Sequence, residues 1–201
     1  MKFKPSGIAI IAMLFIALSA CKKDDKETKN FFKYNNKETL IGTVYGGHLG
    51  ESSTSGVYGT FLYIMEKTIT LHQNSFTGDS LSGTGDIMIL TFLSNDPASL
   101  KPGEYTYSVS SDPFIANTFG YQSGLLVNYN TSSIDPPTGL DLGGGKITVK
   151  KNGEDYEFTF NINTNVHSVI TGYYKGKIIF ADLTGGKKSS ERNPFANRLL
   201  Q

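Results

Sequence analysis

Three imidazoles, a few loop carboxylates and two Ser-Gly pairs are the first places to look for chemistry in this chain. Its histidines are His48, His72 and His167. Zinc is commonly held by His-x-His or by a helical i, i+4 pair. No pair here has either spacing, so the sequence implies no metal ligand. Asp79, Asp86, Asp135 and Asp141 lie in or beside Gly- and Pro-rich stretches. Calcium takes six to eight oxygens. Asp135-Pro136-Pro137-Thr138-Gly139-Leu140-Asp141 offers a few of them without the dense alternation of a calcium loop, and reads as turn-forming aspartate. A glycosidase needs two carboxylates about 5 to 10 Å apart in a cleft, and no motif pairs these acids. Ser82-Gly83 and Ser123-Gly124 are not nucleophile elbows, because no Gly-x-Ser-x-Gly is present. The residues therefore name no catalytic group and no cofactor, and the expectation is a protein that is not an enzyme.

Tyrosines are the remaining candidates. Sugar C–H faces stack on aromatic rings that combine an apolar body with a polar tip. Tyr45, Tyr58, Tyr121, Tyr129 and Tyr174 are the candidate ligand-binding residues. Tyr173 and Tyr174 are adjacent in a strand pattern, so they point to opposite faces. Against this stands the ordinary role of Tyr as a sheet former with its hydroxyl at the rim. The chain has no Trp, which counts against a strong glycan platform.

Cys21 is the only cysteine. It follows an apolar run, Ile8 to Leu18, and ends Leu18-Ser19-Ala20-Cys21. Eleven residues at a helical rise cover about 17 Å, roughly half of a ~30 Å hydrocarbon core, which suits a secretory h-region behind Lys2 and Lys4. The whole segment resembles the signal peptide and lipobox of bacterial lipoproteins. That resemblance implies removal of residues 1–20, lipidation of Cys21 and attachment to a membrane by its acyl chains. Each buried CH₂ contributes about 0.8 kcal/mol, and two or more chains make anchoring stable. An acylated Cys21 leaves neither a free thiol nor a disulfide. Lys22 to Asn30 carries seven charges in nine residues, the composition of a solvated tether. Lys23-Asp24-Asp25 resembles the surface-export signal of Bacteroidota lipoproteins, which implies an outer-membrane lipoprotein exposed at the cell surface. The alternative is a periplasm-facing one.

Removing residues 1–20 takes away two of the 19 Lys and Arg and none of the 18 Asp and Glu, so the net charge falls to about −1. No basic stripe remains, and nucleic acid is not an expected partner. Residues 31–184 are long enough for one domain with its own core, and 185–201 read as a flexible C-terminal tail.

Within 31–184 the period is two rather than 3.6. Phe31–Tyr34 and Thr39–Tyr45 flank Asn35-Asn36, a tight hairpin turn. Gly46 to Gly56 and Asn74 to Gly85 read as loops, as does Asn130 to Gly145. Val57–Met65 alternates, and Thr68–Leu71 starts or continues a strand. Asp86–Leu93 is a near-continuous apolar run, which fits a strand covered on both faces or a central sandwich strand. Pro102-Gly103 turns into Glu104–Val109, and Gly124–Tyr129 is a further short strand. The clearest unit is Gly145–Lys151, the turn Asn152-Gly153, and Tyr156–Ile162, followed by Ile170–Phe180. Tyr156, Phe158, Phe160 and Ile162 fall on one face, matched to Ile147 and Val149.

The succession Pro102-Gly103-Glu104-Tyr105, Gly145-Lys146-Ile147-Thr148-Val149, Tyr156-Glu157-Phe158-Thr159-Phe160 and Gly172-Tyr173-Tyr174-Lys175-Gly176 resembles the uncharacterised β-rich lipoproteins of Bacteroidota, over about residues 100–180. Phe158 stands where an aliphatic residue is usual in them. The resemblance implies an all-β domain on the cell envelope and no particular reaction. The expected fold is an antiparallel β-sandwich of about nine or ten strands. A jelly roll is its more specific form, and a lipocalin-like β-barrel the alternative. The expected function is a lipid-anchored, non-catalytic cell-envelope module that binds a glycan at the cell surface. The alternatives are a structural or assembly protein of the outer envelope with a protein partner, and, less well supported, a hydrolase with an unrecognised site.

Overall fold

Alternating hydrophobic residues and Asn or Gly turns build the fold hairpin by hairpin. A computed structural model describes residues 28–74, 79–110, 113–133 and 137–181. The signal segment, Cys21, most of the charged tether, Asp135 and the C-terminal tail lie outside them. The described residues form twelve strands: β1 (Phe31–Tyr34), β2 (Lys37–Glu51), β3 (Tyr58–Glu66), β4 (Ile69–His72), β5 (Ser80–Ser94), β6 (Gly103–Ser108), β7 (Thr118–Gly120), β8 (Gly124–Asn130), β9 (Thr138–Asn152), β10 (Asp155–Thr164), β11 (Val169–Lys177) and β12 (Ile179–Phe180).

The two turns read as hairpins are hairpins. Asn35 and Asn36 both take positive φ between β1 and β2; the second hairpin turns on Gly153-Glu154, one residue beyond the expected Asn152-Gly153, with Gly153 at positive φ. The late meander has the expected register. Phe158 lies opposite Val149 and Phe160 opposite Ile147, and all four are buried. Asp86–Leu93 lies within β5 and is buried along both faces, only Ile89 being partly exposed.

Strands adjacent in sequence mostly pair with each other, and the ladders form one mixed, sandwich-like sheet system. β2, β3, β5 and β8 make one layer and β9, β10 and β11 the other. The main core between them holds Phe32, Leu62, Leu90, Phe92, Tyr105 and Ile147 beside the meander aromatics. At one seam the four residues of β1 clasp β2 to β11. At the other, β5 and β9 are joined by β8 over one stretch and by β7 and β6 over the next.

Three expectations are corrected. The jelly-roll form does not occur, because hairpin pairing of sequence neighbours replaces crossed Greek-key connections. Nor does the lipocalin-like barrel. Its wall would be antiparallel along its full length, whereas here the clasp is four residues, and β6–β7 and β12–β2 are parallel. Finally, the glycine-rich stretches read as loops are largely strand: β2 runs to Glu51, β5 starts at Ser80 and β9 at Thr138. Some of these glycines sit where backbones approach too closely for a side chain. A Cβ on Gly46 would lie 2.6 Å from the Phe61 carbonyl oxygen, and one on Gly145 2.3 Å from that of Asn161. Glycine in a strand marks close approach as readily as a turn.

Candidate binding groove

The outer face of the β2–β3–β5–β8 layer is also apolar. Tyr45, Phe61, Tyr63, Met65, Ile69, Ile87 and Leu126 form a second buried cluster there. Alternation makes this inevitable. Leu62, Ile64, Met88, Leu90 and Leu125 point to the main core, so their neighbours point out. The β4 hairpin covers part of the outer face through Ile69, Leu71 and Leu81, and Ala181 covers another part.

What remains open is a groove of about 240 Å³. Its origin is a change of neighbour along β5. That strand pairs with β7 at Phe92 and Leu93, and with β8 from Ile89 backwards. Leu90 and Thr91 fall between the two ladders. The turn Gly120–Ser123 fills this break, closed by the Ser123 N–H donating to the Gly120 carbonyl at 3.1 Å, with Gln122 at a φ of 52°. The Thr91 N–H donates to Ser123 Oγ at 2.8 Å, which satisfies a buried donor that no strand reaches. Ser123→Ala should leave that N–H unpaired and lower the unfolding free energy by about 1–3 kcal/mol. Chemical denaturation checks this, and a loss under a few tenths would show that water replaces the hydroxyl.

Pairing register lays out the floor. Tyr45 lies opposite Tyr63, Tyr63 opposite Ile89, Ile89 opposite Gly124, and Gly124 opposite Asp141. In the next row Ile87 faces Leu126, and Leu126 faces Gly139. Two glycines thus interrupt two rows side by side, and the depression lies over them. One wall is apolar, with Phe61, Tyr63 and Ile89. The other ends in the exposed carboxylate of Asp141. Gln122 and Ser123 form the polar end, and Leu49, 46% exposed, stands at the mouth. Neighbouring elements hold the β9 wall in place. The Asp141 carbonyl accepts the Asn165 N–H at 3.0 Å, and the Leu142 carbonyl accepts the Tyr107 hydroxyl at 2.6 Å.

The candidate tyrosines do not assemble into one platform. Tyr45 is buried within the outer cluster and donates to Asp79 Oδ2 at 2.8 Å. Burial, then the Asp79 carboxylate, push its phenol far above the usual range. Tyr129 packs against the same cluster. Tyr58 is half-buried at the start of β3, and Tyr121 sits edge-on to Phe114 with ring centres 5.2 Å apart. Tyr174 is a core residue, 5% exposed, with its hydroxyl donating to the Lys177 carbonyl at 2.6 Å. Burial raises its pKa to about 12. Register makes Tyr173 the outward member of the pair, opposite Phe31.

The other candidates are also dispersed. His48 stacks on Phe180 at 4.9 Å and bonds Thr60 through Nδ1. Burial lowers its pKa. His72 meets Ser82 across the β4–β5 hairpin, and His167 occupies the β10–β11 turn at positive φ. Among the described residues no three His, Cys, Asp or Glu converge as a metal site would require. Asp86 is inside the fold, paired with Lys37, and of the loop acids Asp141 is the one that lines the groove. Sequence reasoning missed Tyr63, Ile89 and Leu126 as groove residues. Their signal was present in the doubly apolar β3 and β5, whose second face needs either a cover or a ligand.

Comparison with known proteins finds no matching protein family, curated protein or solved structure.

Proposed function

We propose that this protein is a lipid-anchored, non-catalytic binding module of the outer cell envelope, and that it takes a glycan in the outer-face groove. The lipobox-like Leu18–Cys21 and the charged tether support the anchor and the surface location. The groove is the observation that carries the binding role. It combines an apolar floor with a carboxylate and an amide at its edge, the mixture that accommodates a sugar's C–H face and its hydroxyls.

Thermal unfolding across a panel of host, plant and bacterial glycans tests the reading. A ligand bound only to the native state stabilises it by about 2.7 kcal/mol at a hundredfold excess over Kd. One glycan class should raise the midpoint, and Gly139→Phe should abolish that rise. Position 139 is exposed, and a Cβ there meets only Leu126, at 3.6 Å. The added ring therefore fills the groove without disturbing the core. No shift with any sugar, or an equal shift in Gly139→Phe, would sink the proposal. On intact cells, added protease should reach the domain.

A further inference from the structure

We infer that the groove selects a single sugar ring that carries no acid group and prefers an amino sugar, an inference that rests on the binding role proposed above. Size sets the first limit. A volume of about 240 Å³ lies below the ~300–1,000 Å³ of pockets for drug-sized ligands. It suits one ring of a glycan, with the rest of the chain outside. Shape sets the second. Ile89 and Asp141 flank Gly124 on a single row of paired residues, two inter-strand steps or about 10 Å apart. A ring lying over Gly124 therefore has Ile89 and Leu126 under its C–H face and Asp141 at one edge.

Charge sets the third limit. Among the described residues that line the groove, Asp141 is the one charged side chain, and no lysine, arginine or histidine is among them to receive a carboxylate, sulfate or phosphate. An acidic sugar would meet Asp141 as a like charge, whereas an ammonium would pair with it. The Asp141 carboxylate has a weak partner, the Asn165 amide at 3.5 Å, and is free to accept a stronger donor. At an exposed site such a pair is worth about a two- to fivefold preference, and salt weakens it.

The full chain is titrated with methyl glucoside, methyl glucosaminide and methyl glucuronide at low and high ionic strength, followed by amide chemical shifts. The expected order of affinity is glucosaminide, glucoside, glucuronide. The spread should shrink at high salt and vanish in Asp141→Asn, which keeps the backbone contact to Asn165 and the shape of the wall. Comparable affinities for all three, or tightest binding of the glucuronide, would overturn the selectivity and leave the groove as a sugar site. Absence of binding by all three, or unchanged binding in Gly139→Phe, would remove the site itself and the inference with it.

Discussion

Phe158→Ala is expected to lower the unfolding free energy by about 3–5 kcal/mol, the cost of a large buried aromatic plus the cavity it leaves. Phe158 is fully buried at the middle of the aromatic face. Its ring centre lies 6.1 Å from Tyr156, 5.9 Å from Phe160, 6.2 Å from Phe92 and 6.0 Å from Tyr174. It therefore joins two neighbouring strands of one layer, β10 and β11, to β5 of the other, and no single side chain can collapse into the space it leaves. For a chain of this size the loss corresponds to about 6–20 °C in Tm. Phe158→Leu keeps most of the apolar volume and should cost only about 1 kcal/mol. Urea unfolding of both variants decides the matter. A loss below about 1 kcal/mol in Phe158→Ala would mean that the core closes over the cavity, contrary to the packing described.

Asp86→Ala should be nearly as damaging, by about 2–4 kcal/mol, for a different reason. Asp86 is 4% exposed, and its carboxylate gathers three donors from two other strands, β2 and β8. Lys37 Nζ lies at 2.8 Å, Thr39 Oγ1 at 3.0 Å and the Asn128 N–H at 2.9 Å. Asn128 holds a φ of 51° at a register shift between β5 and β8. Asp86 thus fastens the start of β2 and an irregular point of β8 to β5. Truncation leaves Thr39 and the Asn128 amide without an acceptor, while half-exposed Lys37 regains water. Burial by itself would raise the Asp86 pKa. The Asn128 amide, Lys37 and Thr39 outweigh it and hold the carboxyl below the usual range. A depressed folded-state pKa stabilises fully above the unfolded value of about 3.9. That stability is lost as the pH falls through the folded value. The stability gap between wild type and Asp86→Asn should therefore be constant above about pH 4 and narrow below it. A gap that persists unchanged at pH 2–3 would show that the carboxylate is not the group being lost.

The residues that support these two predictions differ in how visible they were beforehand. Phe158 was readable as core because period-two alternation, Asn152-Gly153 and the matched Ile147 and Val149 all specify one register. For Asp86 the sequence shows only an acid beside a Gly-rich stretch, at the head of an apolar strand. Its burial depends on Lys37 and Thr39, 49 and 47 positions away in sequence, and local pattern carries no information about such partners.

The sequence by itself determined the all-β class, the hairpins at Asn35-Asn36 and Asn152-Gly153, the inward aromatic face of the meander and the double burial of Asp86–Leu93. These follow from side-chain alternation and from residues that accept positive φ, both properties of short segments. Only the tertiary structure decided that β5 changes neighbours at Leu90–Thr91 and that Ser123 fills the break. It also decided that Gly124 and Gly139 lie diagonally across the β8–β9 ladder on the outer face, that Asp141 edges the depression, and that Tyr174 rather than Tyr173 turns inward. Each of these depends on which distant strand lies alongside and in which register. That choice is made by the packing of the whole core, since a slip of one residue would exchange every inward side chain for an outward one.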